Sequence, residues 1–287
     1  MSLQPLVPVR ELADRIEAGN VRVVDCRFDL ADPGKGERDW LAGHIPGAAY
    51  AHLDRDLSDL SRAGEGRHPL PGDERLSALL SRLGWHPGLA VVAYDDAGGA
   101  LAAARLWWLL RLAGLADVGV LDGGLAAWKG AGLPLERGPV QHEPRAVQVT
   151  LQRDQVVGYG ELARRLAAGD VLLLDARAAP RYRGDVEPID RIGGHVPGAV
   201  NRPFSDNLDA SGRFKPPAQL RREFDALLGG RPASAVAQMC GSGVTACHNL
   251  LAMEHAGLTG SRVFAPSWSG WIGDPARPVA TGAQDGG

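Results

Sequence analysis

Cysteine is scarce in this chain. Cys26, Cys240 and Cys247 are its 3 cysteines in 287 residues, too few for a disulfide framework, and no Cys-x-x-Cys spacing offers a zinc site. A conspicuous cysteine is therefore expected to do chemistry rather than architecture. An excess of one charge is also missing. The 31 Lys+Arg stand against 34 Asp+Glu for a formal net charge of -3, and no basic cluster is long enough to follow a phosphate backbone. Nucleic acid is not an expected partner. No apolar run approaches the length of a membrane span, and the opening "MSLQPLVPVRELADRIEAG" lacks the basic start, apolar middle and small-residue cleavage site of a signal peptide. The expectation is a soluble, cytoplasmic protein with no membrane partner.

What the chain does have is length and a repeat. At 287 residues and 45% hydrophobic content it exceeds one typical core and suits two domains of about 140 residues each. The segment "ELADRIEAGNVRVVDCR" at 11–27 returns as "ELARRLAAGDVLLLDAR" at 161–177, with 9 identities in 17 positions and no gap. "GHIPGA" at 43–48 returns as "GHVPGA" at 194–199. The chain is thus two copies of one fold. In each copy apolar residues at helical spacing (Leu12, Ile16; Leu162, Leu166) precede a glycine stop and a short apolar run ending in Asp25 or Asp175. Further strands are expected in "LAVVAYDD", "VGVLDGG", "ASAVAQMC" and "SRVFAP", with apolar helices between them. Strands alternating with helices predict an α/β fold, each copy a parallel sheet with helices on both faces. The stretch "ERGPVQHEPRAVQV" at 136–149 has no helical or alternating period and reads as extended linker. The expected division is a first domain over 1–138, a linker over 139–149 and a second domain over 150–287.

Cys240 ends one of these strands and heads the glycine-rich "CGSGVTAC". In an open α/β sheet, ligands collect beyond the carboxyl ends of the strands. Gly241 and Gly243 permit backbone conformations that aim successive N–H groups of 241–246 at one centre, and a helix starting near Thr245 adds its positive end. Such a cradle favours a thiolate and makes Cys240 a nucleophile. The alternative is a small buried residue before a tight turn. The repeat supplies an internal control, since the first copy reads "VVAYDDAGG" there and has Asp95 near the cysteine position.

The chain resembles the tandem-domain rhodanese-family sulfurtransferases, through "GHIPGA", "YDDAGG", "RLWWLLR", "LDGGLAAW", "DARAAPRYRG" and the loop "CGSGVTAC", the last similar to that of the mercaptopyruvate-using members. The resemblance spans nearly the whole chain. It implies an inactive first rhodanese-like domain, a catalytic second one, and sulfur transfer through a Cys240 persulfide without metal or organic cofactor. A small-molecule sulfur donor is implied, with cyanide, sulfite, a thiol or a thioredoxin-like protein as acceptor. Gly241 and Ser242 stand where thiosulfate-using relatives place basic residues, so mercaptopyruvate is the expected donor and thiosulfate the alternative. The resemblance further implies a proton relay of Ser242, His68 and Asp56, and donor binding by Arg181 and Arg191 with the loop residues Gly241, Gly243, Val244 and Thr245. His68 reads equally as a plain loop histidine, and Arg181, Arg183 and Arg191 as partners of Asp185, Glu187 or Asp190. Arg177 has a twin in Arg27, which points to a structural role.

A cysteine phosphatase needs an arginine at position 246, where this chain has alanine. A non-catalytic sulfur carrier or protein-binding module would form a persulfide without fast turnover. His44, His195, Trp107, Trp108 and Cys247 read as turn and core residues, Cys247 with a redox role as its alternative.

Overall fold

The apolar runs ending in Asp25 and Asp175 are central strands of two parallel sheets in the computed structural model, which describes residues 3–283. The strands are β1 (Leu6–Val7), β2 (Val21–Asp25), β3 (Ala49–Tyr50), β4 (Ala90–Tyr94), β5 (Val118–Leu121), β6 (Leu172–Asp175), β7 (Val200–Asn201), β8 (Val236–Met239) and β9 (Arg262–Val263). The first sheet runs β1-β5-β4-β2-β3 and the second β7-β6-β8-β9, every pair parallel. β4, β5, β6 and β8 are buried at every residue, as strands covered on both faces must be. The first core gathers Val23, Val92, Leu121 and Trp128; the second gathers Leu173, Met239, Phe264 and Trp268.

The duplication extends to details of register. Asp25 pairs with Tyr94 and Asp175 with Met239. The helices Val9–Glu17 and Tyr159–Ala168 lead into β2 and β6, past Gly19 at φ 66° and Gly169 at φ 68°. Those left-handed values suit glycine, which explains the stops. Arg27 and Arg177 each fold back on the aspartate two residues earlier, Nη2 to Oδ2 at 2.6 Å, and reach the Gly43 or Gly194 carbonyl of the His-Pro-Gly turn. Arg177 is therefore structural, as its twin suggested. His44 and His195 likewise bond main-chain carbonyls, of Trp40 and Tyr182. Trp107 and Trp108 are core residues of the helix Ala103–Leu112.

The chain forms two compact units. One takes the chain to Asp59, then Leu70–Arg153 and Ala210–Phe214; the other takes Leu60–Pro69, Asp154–Asp209 and everything from Lys215. The stretch 139–149 belongs to the first unit, where the Arg145 N–H bonds the Ser81 carbonyl and the Val149 N–H bonds Ser77 Oγ. The loop Leu60–Pro69 belongs to the second.

Candidate active site

Cys240 follows the last residue of β8 at the carboxyl edge of the second sheet. The short helix Ser267–Trp271 shapes what comes next. Its Trp268 and Ser269 N–H groups bond the carbonyls of Cys240 and Gly241, both at 2.9 Å. A peptide carbonyl and the following N–H point opposite ways across one plane, so holding these carbonyls outward turns the Gly241 and Ser242 N–H groups inward. The Gly243 N–H donates to Cys240 Sγ at 3.1 Å. Gly243 has φ 79°, and a Cβ there would collide with the Ala265 carbonyl, so this position requires glycine. Val244 and Thr245 complete the turn, and the helix Ala246–His255 begins directly after. Cys240 is only 2% exposed, at the floor of this loop.

Ser267 carries no signal in residue type or spacing. It is the one non-glycine residue with positive φ among the described residues, at 52°. Its Oγ accepts the Cys240 N–H at 3.1 Å and donates to the Phe264 carbonyl at 3.0 Å. A side chain held in that backbone region marks a position fixed by its surroundings.

Ser242 and His68 come together. His68 Nδ1 lies 2.7 Å from Ser242 Oγ, and both residues are buried. His68 reaches the site on the Leu60–Pro69 loop, which Tyr159 holds through the Gly64 carbonyl and Ser269 through the Arg67 N–H. Asp56 lies in the first unit, where its carboxylate accepts the His52 N–H at 2.7 Å and pairs with Arg82 at 3.0 Å. Cys247 is buried in its helix and donates to the Gly243 carbonyl at 3.3 Å; no disulfide is formed.

The arginines divide. Arg181 directs Nε and Nη2 at Glu187 and also meets Asp190, Nη2 to Oδ2 at 3.0 Å. Burial opposes charge on Glu187, yet the Arg181 bonds and the Asp190 and Ile189 N–H groups outweigh it and hold its carboxyl below the ordinary value. Arg191 is exposed and bonds the Ile272 carbonyl, away from Arg181's partners. Arg183 pairs with Asp185 at the surface. Arg67, unremarked in the sequence although it precedes His68, bonds Asp190 at 2.6 Å. Among the described residues no group of three or more His, Cys, Asp or Glu is placed to hold a metal.

The first unit shows the same loop without a nucleophile. Asp95 follows β4 as Cys240 follows β8, and its carboxylate accepts the backbone N–H groups of Ala97, Gly99, Leu101, Ala102 and Ala103 at 2.8–3.2 Å. That cradle is filled by the chain's own carboxyl. Cys26, the cysteine of this unit, is fully buried, and burial together with Asp25, Asp95 and Asp56 pushes its thiol well up, away from the reactive thiolate.

Comparison with known proteins places this arrangement. The family model described as "Rhodanese-like domain" matches twice, at residues 8–131 and 159–274. The chain is 49% identical over 284 residues to the "Probable 3-mercaptopyruvate sulfurtransferase" of Pseudomonas aeruginosa, covering 98% of this chain and 100% of that protein. It is 42% identical over 290 residues to a Mycobacterium tuberculosis protein provisionally named thiosulfate sulfurtransferase SseB, covering 97% and 98%. Among solved structures, a 3-mercaptopyruvate sulfurtransferase from Leishmania major superposes with a TM-score of 0.82 at 30% identity, over 93% of this chain and 73% of that one.

Proposed function

Because the chain belongs to the rhodanese family and carries its domain twice, we propose that it is a sulfurtransferase that moves sulfur from 3-mercaptopyruvate to a thiol, sulfite or cyanide through a Cys240 persulfide. The observation that carries this reading is the Gly243 N–H donated to Cys240 Sγ at 3.1 Å inside a loop of inward amides. Such a loop stabilises sulfur bearing negative charge, whether thiolate or persulfide.

In this reading the Cys240 thiolate attacks the donor's thiol sulfur. The donor's C–S bond breaks, its electron pair leaves on carbon as the pyruvate enolate, and the enolate takes a proton to become pyruvate. The sulfur remains as Cys240-S-SH, which loses its proton to the persulfide anion. Ser242 and His68, joined at 2.7 Å, are the relay proposed to move that proton. Asp56 is kept as a proposed third member. An acceptor thiolate, sulfite or cyanide then attacks the outer sulfur, the S–S bond breaks, and the Cys240 thiolate returns, a ping-pong cycle. Arg181, through Nη1, the one nitrogen not turned to Glu187, is the proposed donor-carboxylate ligand. Neutral Ser242 beside the nucleophile favours mercaptopyruvate over the dianion thiosulfate. Thiosulfate is the second reading, favoured by the name of the Mycobacterium tuberculosis relative.

No helix among the described residues is long and apolar enough to cross a membrane. A cytoplasmic site of action and a thiol or thioredoxin-like acceptor belong to the proposal.

The test is steady-state transfer to cyanide from each donor in turn, with Cys240→Ser and Cys247→Ser beside the wild type. A higher kcat/KM with mercaptopyruvate, abolished by Cys240→Ser and largely kept by Cys247→Ser, supports the reading. A higher value with thiosulfate reverses the donor. Persulfide formation without turnover makes the protein a carrier, and activity surviving in Cys240→Ser removes the nucleophile.

A further inference from the structure

We propose that Ser269 is a positioning residue of the proton relay, its hydroxyl holding His68 in register with Ser242. The inference rests on the reading above, in which Ser242 and His68 move the proton that mercaptopyruvate turnover requires.

His68 and Ser242 lie 174 residues apart in sequence, yet Nδ1 and Oγ meet at 2.7 Å. Neither segment alone fixes that distance. Ser269 fixes it by bonding the residue before each partner. Its N–H donates to the carbonyl of Gly241, which precedes Ser242, and its Oγ accepts the N–H of Arg67, which precedes His68, both at 2.9 Å. One residue of the helix Ser267–Trp271 thus clasps both main chains next to the relay, one through its backbone and the other through its side chain. The side-chain link is the one a substitution can remove.

Two glycines make the close seating possible. Gly66 has φ 88°, and a Cβ there would collide with the Pro266 carbonyl oxygen and lie 3.1 Å from Ser269 Oγ. A Cβ at Gly270 would collide with the Tyr159 hydroxyl and lie 3.2 Å from the Gly66 nitrogen. A side chain at either position would push the relay loop off the helix. A further tether, the Tyr159 hydroxyl on the Gly64 carbonyl at 2.7 Å, holds the loop at a residue more distant from His68 and does not set its end.

Without the Ser269 hydroxyl the Arg67 N–H loses its acceptor, and the loop shifts to find another. Proton transfer is sensitive to such a shift, because a hydrogen bond weakens steeply as its distance and angle drift and a misplacement of about 1 Å can cost about 10²-fold. The cysteine cradle is insulated from it. The Gly243 N–H to Cys240 Sγ contact and the Ser269 N–H to Gly241 carbonyl bond use no side-chain atom of Ser269.

The test uses the full-length protein with mercaptopyruvate and thiosulfate as donors and cyanide as acceptor. Ser269→Ala is expected to lower kcat with mercaptopyruvate about 10-fold with KM changed less than about threefold, and to leave thiosulfate turnover within about twofold, since thiosulfate leaves as sulfite and needs no proton. Added to Ser242→Ala, it should cost nothing further, because a positioning residue then has nothing left to position. Ser269→Thr, which keeps the hydroxyl, should recover most of the kcat. Inactivation by iodoacetamide, followed across pH, should match the wild type in Ser269→Ala and so show the fold and the thiolate cradle intact. An unchanged kcat in Ser269→Ala, an equal loss with both donors, a shifted inactivation profile, a further loss in the double variant or a threonine variant as slow as the alanine one would each overturn the assignment. A wild type inactive toward mercaptopyruvate would sink the functional reading and this inference with it, and a Ser242→Ala variant with wild-type kcat would remove the relay itself. Wild-type turnover that depends on Ser242, combined with any of the earlier failures, sinks the role of Ser269 alone.

Discussion

Asp95 and Cys240 stand at one position of a duplicated fold, each following the strand residue that pairs with the buried aspartate of the neighbouring strand, Tyr94 opposite Asp25 and Met239 opposite Asp175. The two side chains solve the same problem in opposite ways. Inward N–H groups need an acceptor: Asp95 provides a carboxyl, whose pKa burial pushes up against the bonds from those N–H groups, and Cys240 provides a sulfur that can carry a second one.

Asp95→Ala should therefore destabilise the protein far more than loss of an ordinary aspartate. It would leave five backbone N–H groups, those of Gly99, Ala102 and Ala103 buried, without the carboxylate they share. A cost of about 2–4 kcal/mol in urea unfolding is expected, with Asp95→Asn, which keeps one acceptor oxygen, losing less. A change below about 0.5 kcal/mol would mean that the cradle relaxes freely without its acceptor.

Ser267→Ala removes the hydroxyl that accepts the Cys240 N–H and donates to the Phe264 carbonyl. Both groups are buried, so a loss of about 1–3 kcal/mol is expected. Because the lost bond sits on the nucleophile's own backbone, kcat should fall with both donors. Loss of stability with kcat intact would confine Ser267 to the fold.

Ser242→Ala separates relay from cradle. The Gly243 N–H to Cys240 Sγ contact is main-chain and survives the change, whereas the bond to His68 does not. Mercaptopyruvate turnover, which ends in protonation of an enolate, should fall about 10²-fold or more, and thiosulfate turnover should fall much less. Equal losses in single-turnover assays with the two donors would argue against a proton relay.

Much of this was legible in the sequence because the chain repeats itself. Two copies ending apolar runs in Asp25 and Asp175 marked the central strands and their parallel arrangement, though not the short edge strands Leu6–Val7, Ala49–Tyr50 and Val200–Asn201 or the strand order, and the Arg27/Arg177 twins marked a structural arginine. Cys240 was readable because Gly241 and Gly243 flag a backbone that other residues resist. Arg67, Ser267 and the loop around His68 were not readable, for different reasons. Nothing in composition or periodicity says which core an irregular segment such as Leu60–Pro69 packs against. A positive φ at a serine leaves no trace in residue type. Arg67 could have been suspected as a cation beside a candidate relay histidine, but its meeting with Arg181 depends on Asp190, which reads in sequence as one more acid in a charged loop.

The helix that follows the cysteine loop is tied to the rest of its unit by a polar network with a defined acid sensitivity. Asn249, on the helix Ala246–His255, bonds Asn207 and the Arg202 carbonyl, and Arg202 bonds Asn207 and Glu223. Burial opposes the charge on Glu223, but bonds from Arg202, Gln219 and Lys215 prevail and lower its pKa from 4.5 to about 2. A carboxyl depressed on folding contributes stability that is present above its unfolded pKa and lost as the pH falls through the folded one. Glu223→Gln should therefore cost most at pH 7, about 1 kcal/mol given that the pair is partly open to water, and the difference from wild type should close as the pH falls from 4.5 toward 2. Urea unfolding of both proteins at pH 7, 5 and 3.5 measures it. A difference that stays constant across that range would mean that Glu223 acts through packing, and that the ion pair with Arg202 does not anchor the helix behind the nucleophile.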